Sequence, residues 1–202
     1  NNLAAQKAQG RYLLFMNDHT EVIMADWMRT MVSFCQLERV GVVGAKLYYP
    51  DNTIQHAGIV LGLTGVAGHI QVGFPRGDFG YFGRLIENVN YSAVTAACCM
   101  VKAEDFRAVD GFDEDLAVAY NDVDLCIRIG RLGRDIVWAH EAELYHFESV
   151  TRGYDVKNER KKARLQTEAK KLYARYTDLI DNDPYYNPNL SRTSGNYWVR
   201  KV

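Results

Sequence analysis

Apolar and polar positions alternate in blocks along this chain. "RYLLFM", residues 11–16, is a short apolar run between Gly10 and a polar triplet, which predicts a buried strand. "ADWMRTMVSFCQLE", residues 25–38, places apolar residues at helical spacing behind Asp26, a suitable N-cap. "VGVVGAKLYY" predicts a second buried strand, "PDNT" a turn, and "IQHAGIVLGL" a third extended segment. Residues 62–92 are rich in Gly and aromatics without periodicity, and predict a long surface loop. "YSAVTAACCMVK" predicts a further buried strand, "AEDFRAV" a short helix and "DGFDEDLAVAY" an acidic turn. "NDVDLCIRIGRLG" predicts a helix that stops at Gly133, and "DIVWA" and "AELYHF" predict two short strands. From 156 to 180, Leu165, Ala169, Leu172, Tyr176 and Leu179 form a helical stripe. The face away from that stripe is basic: Arg160, Lys161, Lys162, Lys170 and Lys171. Strands alternating with helices predict an α/β fold, a mostly parallel sheet flanked by helices.

The two ends add expectations about domain organisation. "NNLAAQKAQG" reads as the last turns of a helix closed by Gly10, so the chain is expected to be a piece of a larger protein. Residues 1–180 are read as one domain, and 181–202, with the Pro- and Asn-rich "DNDPYYNPNLS", as an irregular tail.

Composition narrows the function classes. The 202 residues suffice for one domain with a sizeable core. A net charge of -1 supplies no basic field and argues against a nucleic-acid partner. No apolar run reaches the ~20 residues needed to span a bilayer. Cys35, Cys98, Cys99 and Cys126 fit no zinc spacing, and are expected to be reduced, buried thiols in a cytoplasmic protein.

Three polar clusters are the candidate chemistry. Asn17, Asp18 and His19 end the first strand. Oxygen and imidazole donors at the carboxyl end of a strand suit a divalent cation such as Mn²⁺ or Mg²⁺, although an Asx-turn explains the same triplet. Asp122 and Asp124 begin a helix, where the dipole favours carboxylates. They are either caps or, for one of them, a general base. His146 follows a strand and precedes Glu148, Ser149 and Arg152. It gains weight if it converges with His19.

Taken in order, strand–N-D-H-T-E, "VGVVGAKLYYPDNTIQHAG", "VTAACCMVKAEDFRAVDGFDEDL", "NDVDLCIRIGRLG" and "AELYHFESVTRG" resemble the glycosyltransferase family two proteins of the GT-A fold. The resemblance runs through nearly all of residues 1–191. "DPYYNPNLS" is similar to the tail of bacterial cell-surface polysaccharide members, the rhamnosyltransferase-like ones among them. It implies that the strand-end triplet is the D-x-D-type signature, which holds a divalent metal on the diphosphate of a nucleotide-sugar. Asn17 and Asp18 match, and His19 stands where an Asp is common. Imidazole brings no negative charge, so a hard cation is expected to be held less tightly.

The resemblance implies that Asp122 deprotonates the acceptor hydroxyl, with inversion at the anomeric carbon. It implies that Asp124 orients the loop or a neighbouring Arg, that Asp124 and Arg152 belong to the cofactor side, and that His146 is a further metal or diphosphate ligand. Ala96 replaces a Gly usual in the family. The donor is expected to be UDP-, dTDP- or GDP-linked and the acceptor a glycan or lipid-linked. The family's first β-α-β unit would precede Asn1, so the chain alone is expected to be inactive. The basic helix is either a solvated amphipathic helix or a peripheral contact at the inner face of the membrane. Aromatics at Phe74, Phe79, Tyr81 and Phe82 either line an acceptor groove or pack the loop. Two other classes stand beside transfer: a degenerate, non-catalytic glycan- or nucleotide-binding module, and a metal-dependent hydrolase. The second is disfavoured by the lack of a Ser-His or His-rich hydrolytic pattern.

Overall fold

The computed structural model describes residues 1–147 and 159–201. A short helix α1 (Asn2–Lys7) leads into strands β1 (Tyr12–Met16) and β2 (Thr20–Val22), which flank the polar triplet. Helix α2 (Trp27–Cys35) starts after Asp26 and buries Trp27, Met31 and Cys35, one face of the expected stripe. Strand β3 (Val40–Tyr48) is buried at all nine positions. Short strands β4 (Ile54–His56), β5 (Ile59–Leu61), β6 (Ala67–His69) and β7 (Val89–Asn90) follow, then β8 (Cys98–Lys102) and α3 (Ala103–Ala108). Helix α4 (Asn121–Gly130), strand β9 (Asp135–His146) and the long helix α5 (Glu159–Asp181) complete the elements.

The sheet runs β1-β8-β3-β9-β2, with β4 on β3 and β7 on β9; β5 and β6 pair separately. The α/β class holds, but the sheet is mixed rather than mostly parallel. Among the described residues only β3 and β9 run parallel; β1–β8, β8–β3, β3–β4, β7–β9 and β2–β9 are antiparallel. The reason is burial. A strand covered on both faces reads as a continuous apolar run whatever the direction of its neighbours. Along β3, Val42 and Tyr48 join the larger core, and Val43, Ala45 and Leu47 join a second core beneath α2. Leu125 and Ile129 of α4, and Leu172, Tyr176 and Ile180 of α5, fill the larger one. Each such buried aliphatic or aromatic side chain contributes about 1.5–3 kcal/mol.

Three stretches differ from their sequence reading. "DIVWA" and "AELYHF" form one strand, because β9 carries an irregularity against β3 between its pairs Ala45↔Ala139 and Lys46↔Glu143 and then continues. There Glu143 accepts from Tyr48 Oη (2.6 Å) and Arg76 Nη2 (2.8 Å), and Lys46 Nζ lies 3.7 Å away. Burial lowers the pKa of Lys46, and Glu143 opposes the shift. The segment 62–92 is tied down rather than loose: Leu63, Ile70, Leu85 and Tyr91 are fully buried. Gly58, at φ 112, turns the chain between β4 and β5 so closely over the Tyr91 ring that a Cβ would fall 2.3 Å from it. Residues after α5 are irregular yet docked. Asp183 Oδ2 accepts the Leu61 N–H at 2.6 Å, and Tyr186, Leu190 and Tyr197 are buried.

Gly44 marks where β3 is closest to its neighbours. A Cβ there would lie 2.4 Å from Val94 Cβ. Gly44→Ala is therefore expected to destabilise the fold by about 1–3 kcal/mol through overpacking. Urea unfolding should show a lower midpoint at unchanged slope.

Candidate active site at the strand ends

The site grows out of one corner of the sheet. β1 pairs with β8 to its last residue, Met16↔Cys98, and Asn17 N–H still donates to Ala97 O at 2.9 Å. The chain then turns over Asn17–His19, with Thr20 Oγ1 donating back to Asn17 O at 2.9 Å. It returns as β2 against the end of β9, Thr20↔His146, and Phe147 N–H donates to His19 O at 2.9 Å. This reversal brings His146 to the triplet: Asn17 Nδ2 and His146 Nε2 are 3.1 Å apart.

Gln55, in β4, fixes the histidine from the other side. Its Oε1 lies 2.7 Å from His146 Nδ1, and its Nε2 donates to His146 O at 3.1 Å. An amide oxygen only accepts, so the His146 hydrogen sits on Nδ1 and the lone pair on Nε2. Burial, then the charges of His19 and His69, lower the His146 pKa and keep the ring neutral. A neutral imidazole oriented by a hydrogen bond at its far nitrogen is the arrangement of metal-ligating histidines. His19 Nδ1 lies 3.0 Å from Asp18 Oδ1, and the Asp18 side chain is 88% exposed.

Asp122 lies in the first turn of α4, after Tyr120 at φ 62. Its Oδ2 accepts the Ala96 N–H at 3.1 Å and its Oδ1 the Val123 N–H at 2.9 Å. Desolvation lowers the pKa of His69, and the charge of Asp122 works against that. Asp124 does orient a neighbouring Arg, Arg128, but away from the cofactor side where it was expected. Its carboxylate is buried, with Arg128 Nε at 2.7 Å and Tyr176 Oη at 2.6 Å, so it locks α4 onto α5. The i, i+2 spacing on a helix explains the divergence, since such residues do not share a face. Arg152 lies outside the described residues, as do Glu148 and Ser149.

The sequence reading missed Gln55, His56 and His69. His56 is fully buried, with its Nδ1 3.0 Å from His69 Nδ1 and its Nε2 accepting the Thr95 N–H at 3.4 Å. Four of the five histidines thus gather at one corner: His19, His56, His69 and His146. The available signal was a polar Gln-His pair set inside the apolar run "IQHAGIV". Beside these residues lies a cavity of about 590 Å³, lined by Tyr49, Gln55, His69, Thr95 and His146 among others. Its lining, among the described residues, holds no Lys, Arg, Asp or Glu. Nor does the aromatic loop line it. Phe79 and Phe82 are 66% and 91% exposed, while Tyr81 stacks on Tyr197. Among the described residues no group of three His, Cys, Asp or Glu side chains forms a metal cage. None of the described helices is long and apolar enough to cross a membrane.

The neutral histidines carry a pH signature. Burial, then His69 and His146, hold the His56 pKa well below 6.5, and His146 is lowered as well. Below that ordinary value the unfolded chain binds protons that the fold refuses, so stability rises with pH in that window. Urea midpoints are expected to be flat above about pH 7 and to fall as pH drops below it. His56→Gln should flatten that slope by up to about 1.4 kcal/mol per pH unit. An unchanged slope would count against this origin.

No family model matches the chain. It is 48% identical over 192 residues, 95% of its length, to the Sinorhizobium fredii protein y4gI. It is 37% identical over 204 residues to the Myxococcus xanthus O-antigen biosynthesis protein RfbC. The chain spans only 21% and 16% of the length of these curated relatives. Among solved structures it is similar to the mannosyltransferase PcManGT from Pyrobaculum calidifontis in complex with GDP-Man and Mn²⁺. That match has a TM-score of 0.56 and 15% identity, and covers 88% of this chain and 42% of the other. It is also similar to GalNAc-T7 with UDP, GalNAc and Mn²⁺, at TM-score 0.62 and 14% identity, over 92% of this chain and 37% of the other. With its mixed sheet, flanking helices and polar strand-end corner, the chain carries the fold of the GT-A glycosyltransferases.

Proposed function

We propose that this chain is the acceptor-side part of an inverting glycosyltransferase that moves a sugar from a nucleotide-diphosphate donor to a hydroxyl of a growing surface glycan. The observation that carries the reading is Asp122. Two backbone N–H groups hold its carboxylate next to Thr95 and Ala97, which line the cavity. A base must be positioned before it can be matched in pKa, and this one is. Asp122 takes the proton of the acceptor hydroxyl. The oxygen attacks the anomeric carbon from the face opposite the diphosphate, whose bond to the sugar breaks. The likeness to an O-antigen biosynthesis protein supports a surface polysaccharide as the product.

The donor set at the corner suits a divalent cation, Mn²⁺ or Mg²⁺. Asp18 offers a carboxylate, and His146, its tautomer fixed by Gln55, offers the Nε2 lone pair, which the Asn17 amide holds at 3.1 Å and would yield to the ion. Asp18, His19 and His146 would hold the ion, the diphosphate completing its shell. When bound, it neutralises charge on the departing diphosphate. Both solved neighbours bind Mn²⁺ with a nucleotide or nucleotide-sugar, which supports the same donor chemistry here. The chain covers less than half of each of those transferases, so the donor's base and ribose are assigned to parts outside it, and the chain alone is not expected to turn over. The cytoplasmic face of the membrane and a lipid-linked acceptor remain part of this proposal, with exposed Lys162, Lys170 and Lys171 on α5 as the contact. The alternative, a non-catalytic binding module, is favoured by one observation: an imidazole, His19, where the family signature carries an acid.

Calorimetric titration of Mn²⁺ with UDP, dTDP and GDP separates the two. Metal-dependent binding that His19→Asp tightens several-fold supports the transferase reading, and no binding by either protein supports the module. In the parent-length protein, Asp122→Asn is expected to lower kcat by about 10²–10⁴-fold with donor binding unchanged and a small drop in melting temperature, since one of its two backbone N–H acceptors becomes a donor. Asp124→Asn is expected to do the reverse in emphasis. It costs about 3–5 kcal/mol of stability, because it leaves the Arg128 guanidinium without its buried partner.

A further inference from the structure

A second cavity lies at the far end of the β1–β8 ladder. Met16↔Cys98 is the pair beside the strand-end corner, and Tyr12↔Lys102 closes the opposite end. At about 3.3 Å per residue the two ends are about 13 Å apart. The cavity there holds about 540 Å³. Among the described residues it shares no lining residue with the strand-end cavity. Four cationic side chains line it, Arg11, Lys102, Arg107 and Arg134, with two acidic ones, Glu38 and Glu104. What each cation already touches decides what the cavity can take. Arg134 is paired. Its Nε donates to the buried Asp105 Oδ1 at 3.1 Å and its Nη1 to Glu38 O at 2.7 Å, and its Nη2 lies 3.9 Å from Glu104. Lys102 is 7% exposed, and its ammonium donates to Leu37 O and Glu38 O, both at 2.8 Å. These carbonyls, just past the end of α2, satisfy two of its three N–H groups but cancel no charge. Arg107 Nη2 donates to another carbonyl, Ala8 O, at 3.4 Å. The Arg11 guanidinium lies over the Tyr12 ring, 5.8 Å from its centroid.

The balance of charge is positive. With Asp105 counted, four cations stand against three carboxylates, and Arg134 already engages Asp105 and Glu104. Arg11, Lys102 and Arg107 keep N–H donors beyond the bonds just given, each Arg carrying five and the Lys three. We infer that this cavity is a second ligand site, which takes the phosphate group of a small phosphorylated molecule on Arg11, Lys102 and Arg107. Guanidinium forks match phosphate oxygens, and a hydrogen bond between ions is about twice as strong as a neutral one. The buried ammonium gains most, because it acquires a counter-ion where it now has only dipoles. The concave shape bounds the rest of the ligand. A volume of about 540 Å³ lies within the range of about 300–1,000 Å³ that takes small molecules, and the Gln9 and Gln36 amides in the lining suit hydroxyl groups. The inference stands apart from the transferase reading, since it uses none of the residues at the strand-end corner.

The test is calorimetric titration of the 202-residue chain with glucose 6-phosphate, inorganic phosphate and glucose, in EDTA so that no metal loads the strand-end corner. Both phosphates should bind, glucose 6-phosphate with a Kd below about 1 mM, and glucose should not. Arg11 and Arg107 are exposed, so Arg11→Ala/Arg107→Ala should leave the melting temperature unchanged. It should weaken both phosphates at least about tenfold. Arg11→Glu, ahead of β1, should give a similar loss by reversing one charge, and serves as the second variant if the double one is unstable. Asp18→Ala, at the strand-end corner, should leave phosphate affinity as it was. A loss confined to the arginine variants supports the site. It is overturned if neither phosphate binds, if glucose binds as well as its phosphate, if the arginine variants bind undiminished, or if Asp18→Ala abolishes binding.

Discussion

The parallel pairing of β3 with β9 is the constraint on which the rest depends. It runs from Val40↔Asp135 to Tyr48↔Tyr145, with β3 buried at every position and β9 buried from Ile136 to Ala139. Parallel strands need a long crossover, and here the crossover contains every element from β4 to α4. Fixing that pair fixes two positions at once. The end of β9 places His146, and the turn after β3 sends β4 back so that Gln55 meets it. The edge strand β2 then needs only three residues on β9 to carry Asn17–His19 to the same point. The corner is thus assembled from three distant parts of the chain by backbone ladders, before any ligand contributes.

Two neighbouring acids show how finely α4 divides its work. Asp122 and Asp124 are two residues apart, so the helix turns them to different faces. One stays at the cavity side and is held by backbone N–H groups. The other is buried, spends its charge on Arg128 and Tyr176, and ties α4 to α5. The same frame lowers the pKa of His56 and His146 by burial. Their desolvation is tolerable because each ring nitrogen engaged inside the fold meets a hydrogen-bond partner, from Gln55 and Asn17 for His146 and from Thr95 and His69 for His56.

Much of this was legible in the residues. Strand β1, helix α2, strand β3, helix α4 and the α5 stripe are where periodicity puts them, because one-dimensional burial patterns report which face of an element is covered. Asn17, Asp18, His19, Asp122 and His146 were legible as polar interruptions at element ends. Strand direction was not, since Val42 and Val43 are apolar whether their neighbours run parallel or antiparallel. The single strand β9 was not, because the irregularity that carries it past Glu143 exists only against β3.

The sequence by itself determined the elements, the order of the polar motifs and the chemistry each could offer, since these depend on spacing within a few residues. Tertiary structure alone decided which of those groups meet. Gln55 and His146 are 91 positions apart, and Gly195 reaches His69 across more than half the chain. The fate of Asp124, the gathering of four histidines and the docking of the tail over the cavity all follow from sheet register and helix packing. Those are set by the sum of many apolar contacts, and no local motif encodes that sum.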